Sequence, residues 1–227
     1  MEPRILPPAC EFFSNPPELT QPLAPVLIHM SDVILASKSS IRAQLLRNAG
    51  VPVRVTSAAV DEDMIKRSLQ AEGHRPRDVA DALAEAKAHR VGQKDPGSFT
   101  IGCDQVLDLD GALLSKAETP EEAAEHLERL SDRTHRLYSA AVIFHEARPI
   151  WRHIGEARLT MRRLSAGYIA SYLDRNWPEV GSSVGVYQIE AEGSRLFSRI
   201  DGDYFSILGL PLLPLLTFLT DRGVIET

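Results

Sequence analysis

The chain has 227 residues, 44% of them hydrophobic and 25% charged, with a net charge of −6. That length suits one large domain or two small lobes around a sizeable core. The acidic balance argues against non-specific binding to nucleic acid or an anionic membrane surface, though it leaves room for a local basic pocket.

The two cysteines, Cys10 and Cys103, lie far apart in unlike surroundings. They suggest neither a disulfide framework nor a cysteine zinc site, and a reducing cytoplasm is the expected location. No apolar run reaches the ~18 residues of a membrane helix; the longest, Ile207 to Leu219, is broken by Gly209, Pro211 and Pro214. Residues 1–29 hold seven prolines and no sustained periodicity. They read as an irregular arm without the charged start and apolar core of a secretory signal. Met30 opens a different segment, so the arm is expected to be an upstream extension of a domain spanning 30–227.

Val33–Ala36 reads as a buried strand, followed by Ser37-Lys38-Ser39-Ser40 and a helix carrying Ile41, Leu45 and Leu46 up to Gly50. Ser39 or Ser40 caps that helix, and the free N–H groups there form an anion site. Arg42 in the first turn opposes the helix dipole. An anionic ligand would remove the conflict; a solvated Arg on a surface helix is the plainer alternative. Val51–Val55 reads as a second strand. Asp61 and Glu62 open a helix with Met64, Ile65 and Leu69, and a second helix spans about Arg77 to Val91. Its apolar face is Val79, Leu83, Ala86 and Val91, with Lys87 at the border, where a lysine usually snorkels to water.

Phe99–Ile101 and Val106–Leu109 read as short buried strands on either side of Gly102-Cys103-Asp104-Gln105. An ionised Asp104 there is costly unless a cation, metal or donor meets it. Asp110-Gly111 predicts a hairpin to Ala112–Leu114, and Lys116 follows directly. Thr119-Pro120-Glu121-Glu122 is a capping box. Thr134–Phe144 and Ile150–Arg163 predict a long antiparallel pair with one wet face. A helix near Ala166–Leu173, a glycine-containing stretch Gly181–Glu190, a strand near Arg195–Ile200 and a helix from Pro211 to Arg222 complete the chain. His135 reads as a strand residue with a satisfied hydrogen bond, Cys103 as a small buried residue, and Tyr204 and Phe205 as packing residues.

Leu35-Ala-Ser-Lys-Ser-Ser-Ile-Arg42, Val60-Asp-Glu62, Ala86-Lys87-Ala88, Gly102-Cys-Asp104-Gln105, Ser115-Lys116 and Asp203-Tyr-Phe-Ser-Ile-Leu-Gly-Leu-Pro211 occur in one order. Each is weak alone; together they resemble the Maf family of nucleoside triphosphate pyrophosphatases, from Met30 to the C-terminus. The resemblance implies an α/β fold of the Maf and inosine-triphosphatase-like kind: a long mixed sheet flanked by helices, with a cleft between two lobes. It implies hydrolysis of a nucleoside triphosphate to monophosphate and pyrophosphate with a divalent cation, Mg²⁺ or Mn²⁺. Asp104 matches the family's catalytic acid and Glu62 the acid of its Val-Asp-Glu motif; both are the implied metal ligands. Lys87, Lys116 and Arg42 match its basic pocket residues, and Ser37 and Ser39 its Ser-x-Ser turn. A homodimer is the assembly the family suggests. A second reading, from a different class, is a nucleotide-binding regulator of septum formation that does not turn its ligand over.

The sequence also departs from the family pattern. Ile41 stands where a first Arg is frequent, Ala117 where Pro is common, and Val184-Gly185-Val186-Tyr187 replaces Ala-Gly-x-Tyr. A branch acting on dTTP and UTP carries Arg, Thr and Gln at the positions of Ile41, Gln105 and Glu190. A branch acting on 7-methyl-GTP shares the Gln and Glu but has Trp at the first. Two of three positions therefore lean to the second branch, and a Gln with a carboxylate suits a guanine edge bearing positive charge.

Overall fold

In the computed structural model, which describes residues 32–226, β1 (Val33–Ala36) is apolar throughout and buried on both faces. Such a strand belongs inside a sheet covered on both sides. It pairs in parallel with β2 (Val53–Val55) and β3 (Phe99–Leu109). From β3 the sheet continues antiparallel through β5 (Thr134–His145), β6 (Arg148–Met161) and β7 (Phe197–Gly202), while β4 (Ala112–Leu114) hairpins onto β3. The result is a seven-stranded mixed sheet of order β2-β1-β3-β5-β6-β7, with β4 beside β3. The arm expected over 1–29 lies outside the described residues.

Helices cover both faces. α1 (Ser40–Asn48) and α7 (Leu212–Asp221) pack on Ile101 and Cys103. α3 (Pro76–Gly92) covers Val106, Ala140 and Val142 on the opposite face. Beyond the far end of β3, α4 (Pro120–Leu130) and α5 (Ala166–Asn176) form a third apolar cluster with Leu107, Leu137 and Leu159. α2 (Glu62–Ala71) buries no side chain fully; Ile65 and Leu69 rest half-buried against the α3 cluster. The chain leaves β1 through α1 to β2, then returns through α2 and α3 to β3 on the other side of β1. A crevice therefore opens at the carboxyl end of β1, where ligands of open α/β sheets bind.

Four expectations need correction. β3 is one strand running through Asp104, because β5 pairs with it residue for residue from Thr100↔Phe144 to Asp108↔Arg136. The chain before β7 is a 3-10 turn over Glu192–Leu196, so the strand starts at Phe197 rather than Arg195. α6 (Tyr204–Ile207), capped by the Asp203 carboxylate, was not expected; four residues are too few to show a helical period. Tyr204 is 50% exposed rather than a packing residue, whereas Phe205 does pack partly buried against the core.

Candidate active site

One cleft of about 910 Å³ is lined by Ser37 and Ser39 on the turn after β1, by Arg42 in the first turn of α1, and by Glu62, Lys87 and Asp104. Gln105, Lys116 and Glu190 complete the set, so all nine residues singled out in the sequence reach one cavity.

β3 and α3 set its floor. Side chains alternate along a strand, so Asp104 points to the α3 face and Gln105 to the other. α3 lies directly on Gly102: a Cβ there would stand 2.1 Å from the Ala84 carbonyl oxygen and 2.5 Å from the Ala88 nitrogen. That approach brings Lys87 down onto Asp104. Leu83, Lys87 and Val91 are buried in succession at helical spacing, while Ala86 is only half-buried. The inward face of α3 thus passes through Lys87, which is a buried ion-pair partner and not a snorkelling lysine.

Lys87 Nζ lies 2.6 Å from Asp104 Oδ1 and 2.8 Å from Glu62 Oε1, one ammonium between two carboxylates. Lys87 and Asp104 are both buried, a costly placement without such pairing. Glu62 stands at the first turn of α2, whose cap Asp61 accepts from Met64 N at 2.9 Å. Burial raises the Glu62 pKa, but the Lys87 hydrogen bond and charge, helped by Lys66 and Lys116, outweigh it and hold the carboxyl below its ordinary 4.5. Asp104 Oδ2 is buried without a hydrogen-bond partner. Lys116 is pushed down by burial and by the Arg42 and Lys87 charges, against the pull of Glu62 and Asp104.

The turn after β1 is closely organised. Ser39 N donates to Ser37 Oγ at 3.2 Å, and Ser39 Oγ accepts from Arg42 N at 3.5 Å as the cap of α1. Arg42 folds back, its Nη1 donating to the Cys103 carbonyl at 2.9 Å and to Ser37 Oγ at 3.4 Å. The conflict between Arg42 and the α1 dipole is thereby relieved in part by protein acceptors, although Nε remains buried and unpartnered.

Gln105 is equally constrained. Its Nε2 donates to Ser139 Oγ at 2.9 Å and to the Ser206 and Ile207 carbonyls at 3.1 and 3.0 Å. The Ser139 hydroxyl donates to Ser206 O at 2.6 Å, so only a lone pair of Ser139 faces Gln105. Three acceptors fix the amide with its donors spent. Glu190 sits exposed at the end of the Ser182–Glu190 wall. In that wall Val186 holds φ 58°, a strained value for a β-branched residue, and its carbonyl accepts from the buried Tyr172 hydroxyl at 3.1 Å. His135 Nε2 meets Tyr187 Oη at 2.8 Å. Burial leaves the Cys103 thiol at a pKa of about 11, as an inert thiol requires.

Two cleft residues were missed in the sequence, Lys38 and Lys66. Lys66 carried a readable signal: it is four residues after Glu62 on the same helix face. With them the cleft holds five basic residues, Lys38, Arg42, Lys66, Lys87 and Lys116, against three acids, Glu62, Asp104 and Glu190. An acidic chain therefore encloses a net positive cavity.

The chain matches the family model described as Maf-like protein over residues 32–222. It is 54% identical over 195 residues to a nucleoside triphosphate pyrophosphatase of Ruegeria pomeroyi, covering 86% of this chain and 98% of that one. It is 47% identical over 194 residues to a 7-methyl-GTP pyrophosphatase of Brucella abortus, covering 86% and 98%. Among solved structures, a HAM1 protein from Coxiella burnetii matches at 15% identity with a TM-score of 0.34, covering 69% of this chain and 92% of that one, too loose a superposition to carry an argument.

Proposed function

Because the chain belongs to the Maf-like family, we propose that it is a hydrolase that cleaves nucleoside triphosphates to the monophosphate and pyrophosphate. The observation that carries this reading is the buried Lys87 bridging Glu62 and Asp104 inside a net positive cleft. A triphosphate brings about four negative charges at neutral pH, and phosphoryl transfer depends mostly on positioning and charge stabilisation. Lys87 and Lys116 supply that charge, and the Ser37–Ser40 turn supplies N–H donors. Asp104 Oδ2, unpartnered, orients a water and takes up its proton. The water oxygen bonds to the α-phosphorus, the α–β bridging bond breaks, and pyrophosphate leaves with the electron pair.

Glu62 and Asp104 would hold the divalent cation, Mg²⁺ or Mn²⁺. Among the described residues no cluster of three or more His, Cys, Asp or Glu forms a ready cage. Magnesium is commonly held by one or two carboxylates with substrate phosphates completing the shell, and the Glu62 and Asp104 carboxylates are a donor set of the right hardness. When bound, the cation would neutralise phosphate charge.

The base reading follows from Gln105. With its amide donors spent, it offers a nucleobase only an acceptor, and Glu190 offers a carboxylate. Two acceptors suit the N–H edge of a guanine, and the negative charge suits a cationic 7-methylguanine. Substrates of the 7-methyl-GTP kind are therefore preferred over dTTP and UTP.

Pyrophosphate release across methylated and ordinary triphosphates, with Mg²⁺ and Mn²⁺, tests the proposal. Asp104→Asn is expected to lose turnover by roughly 10²–10⁴-fold while its circular dichroism stays native. Tight binding across the whole panel with no turnover by the intact chain would instead favour the regulator.

A further inference from the structure

α2 is amphipathic yet buries no side chain, and its apolar Ile65 and Leu69 rest only half-buried against the α3 cluster. Its other attachment is Glu62, which reaches Lys87 from the first turn. One turn on, Lys66 sits half-buried on the same face. Lys66 lines the main cleft and also a second one of about 730 Å³ running along α2 and β4. Glu62, Gln105 and Lys116 line both cavities too, so the two adjoin at this ridge.

The ridge carries charges of both signs, and its two lysines stand outside the ion pairs. Among the described residues, Lys66 takes part in no ion pair or side-chain hydrogen bond. Of the two carboxylates one turn before it on the helix, Glu62 is engaged by Lys87, and Asp63 is exposed and forms no ion pair with Lys66. Lys116 faces the same ridge, also without an ion pair among the described residues. Two ammonium groups without an ion pair thus face a shared space in which Glu62 and Asp104 are held by Lys87, while Asp61, Asp63 and Glu118 line the second cleft only. A polyanion entering there gains charge pairing without breaking an existing pair.

Resting on the pyrophosphatase reading, we propose that Lys66 is a further substrate-binding residue, contacting the phosphate chain. In doing so it seats α2 over the junction of the two clefts. The helix carries both Glu62 and Lys66, so a phosphate chain held by Lys66 also fixes Glu62. Its loose packing then has a use: the helix closes fully only with phosphates in place.

The test compares Lys66→Gln and Lys66→Arg with the wild-type chain, using inorganic pyrophosphate and a nucleoside monophosphate as probes. Calorimetry reads their binding directly, and turnover is followed in parallel. Lys66→Gln is expected to weaken pyrophosphate binding and raise the KM of the triphosphate, each by about tenfold, as loss of one charge-assisted contact implies. Base-side contacts should survive, so the monophosphate is expected to lose far less. Lys66→Arg should recover most of the pyrophosphate affinity. Amide exchange over residues 62–71 should slow on adding pyrophosphate to wild type and not to Lys66→Gln. Unchanged pyrophosphate affinity in Lys66→Gln, or exchange in α2 indifferent to pyrophosphate, overturns the inference. If wild type binds pyrophosphate through Lys66 but turns over no triphosphate, the functional reading fails and this contact stands.

Discussion

Lys87 shows how a single side chain can be both a fold element and a site element. It takes a core position on α3, between Leu83 and Val91, and a buried ammonium there is tolerable only because two carboxylates meet it. Removing it in Lys87→Met leaves Asp104 buried with no counter-ion, and breaking such pairs costs about 3–5 kcal/mol. The more specific readout is Glu62. Its carboxyl lies below 4.5 because Lys87 overcomes burial. In Lys87→Met burial remains and the largest opposing influence is gone, so Glu62 should titrate at higher pH, measured by carboxyl-carbon NMR. A depressed carboxyl stabilises the fold above its unfolded pKa, and that stability is lost as pH falls through the folded pKa. The wild-type chain therefore carries a small Glu62 contribution at neutral pH that fades below about pH 4.5. Solvent screening at this 40%-exposed side chain keeps it small. A Glu62 titration unmoved by Lys87→Met would break the proposed pairing.

At the scale of elements, the site depends on how closely α3 can lie against β3. Gly102 allows it, and Ala at that position puts a methyl 2.1 Å from the Ala84 carbonyl oxygen and 2.8 Å from Ala88 Cβ. The helix backbone must shift, at a cost of about 1–3 kcal/mol for overpacking. Lys87 shifts with it, and misplacement of a charged group by about 1 Å is enough to lower turnover around 10²-fold. Thermal melts and pyrophosphate release on Gly102→Ala should fall together. A variant with lowered Tm and full turnover would show that Lys87 is not positioned through this contact. The same pair of elements marks a boundary of what the sequence conveys. Capping signals at Ser39 or Ser40 and at Thr119, and the acids Asp61 and Glu62, locate three helix starts, and Ser39, Asp61 and Thr119 each do accept from the first turn. The inward face of α3 is misjudged because hydrophobicity counts a lysine as outward, and it takes Asp104, 17 positions away, together with Glu62 to make it an inward residue. β3 was divided at Asp104 for the same reason: the carboxylate's partner lies on another element.

At the scale of the molecule, ordered motifs from distant segments converge on one cleft, and that order carried more information than any spacing within a motif. What order could not convey was which atoms remain available. Gln105 reaches the cleft as expected, but its donors are consumed by Ser139 and the C-terminal turn, 34 and 101 or more positions away. His135 shows the same dependence on the whole fold, and it gives the molecule a second pH limb. In the chain alone it is an ordinary strand histidine. In the fold it is buried against Tyr187 and Phe197 with Nδ1 unpartnered, and burial lowers its pKa from 6.5 to about 4. Between those two values the unfolded chain binds the proton and the folded chain does not, so stability falls as pH drops from 6.5 towards 4. At about 1.4 kcal/mol per unit the loss is roughly 3 kcal/mol, complete before the Glu62 limb develops fully. His135→Gln keeps a hydrogen-bonding partner for Tyr187 and cannot titrate. Urea unfolding at steps from pH 7 to pH 4 should therefore show a decline in wild type that is largely absent in His135→Gln, with the two converging at acid pH. Parallel pH profiles for the two proteins would mean that His135 is protonated in the fold as readily as in the unfolded chain.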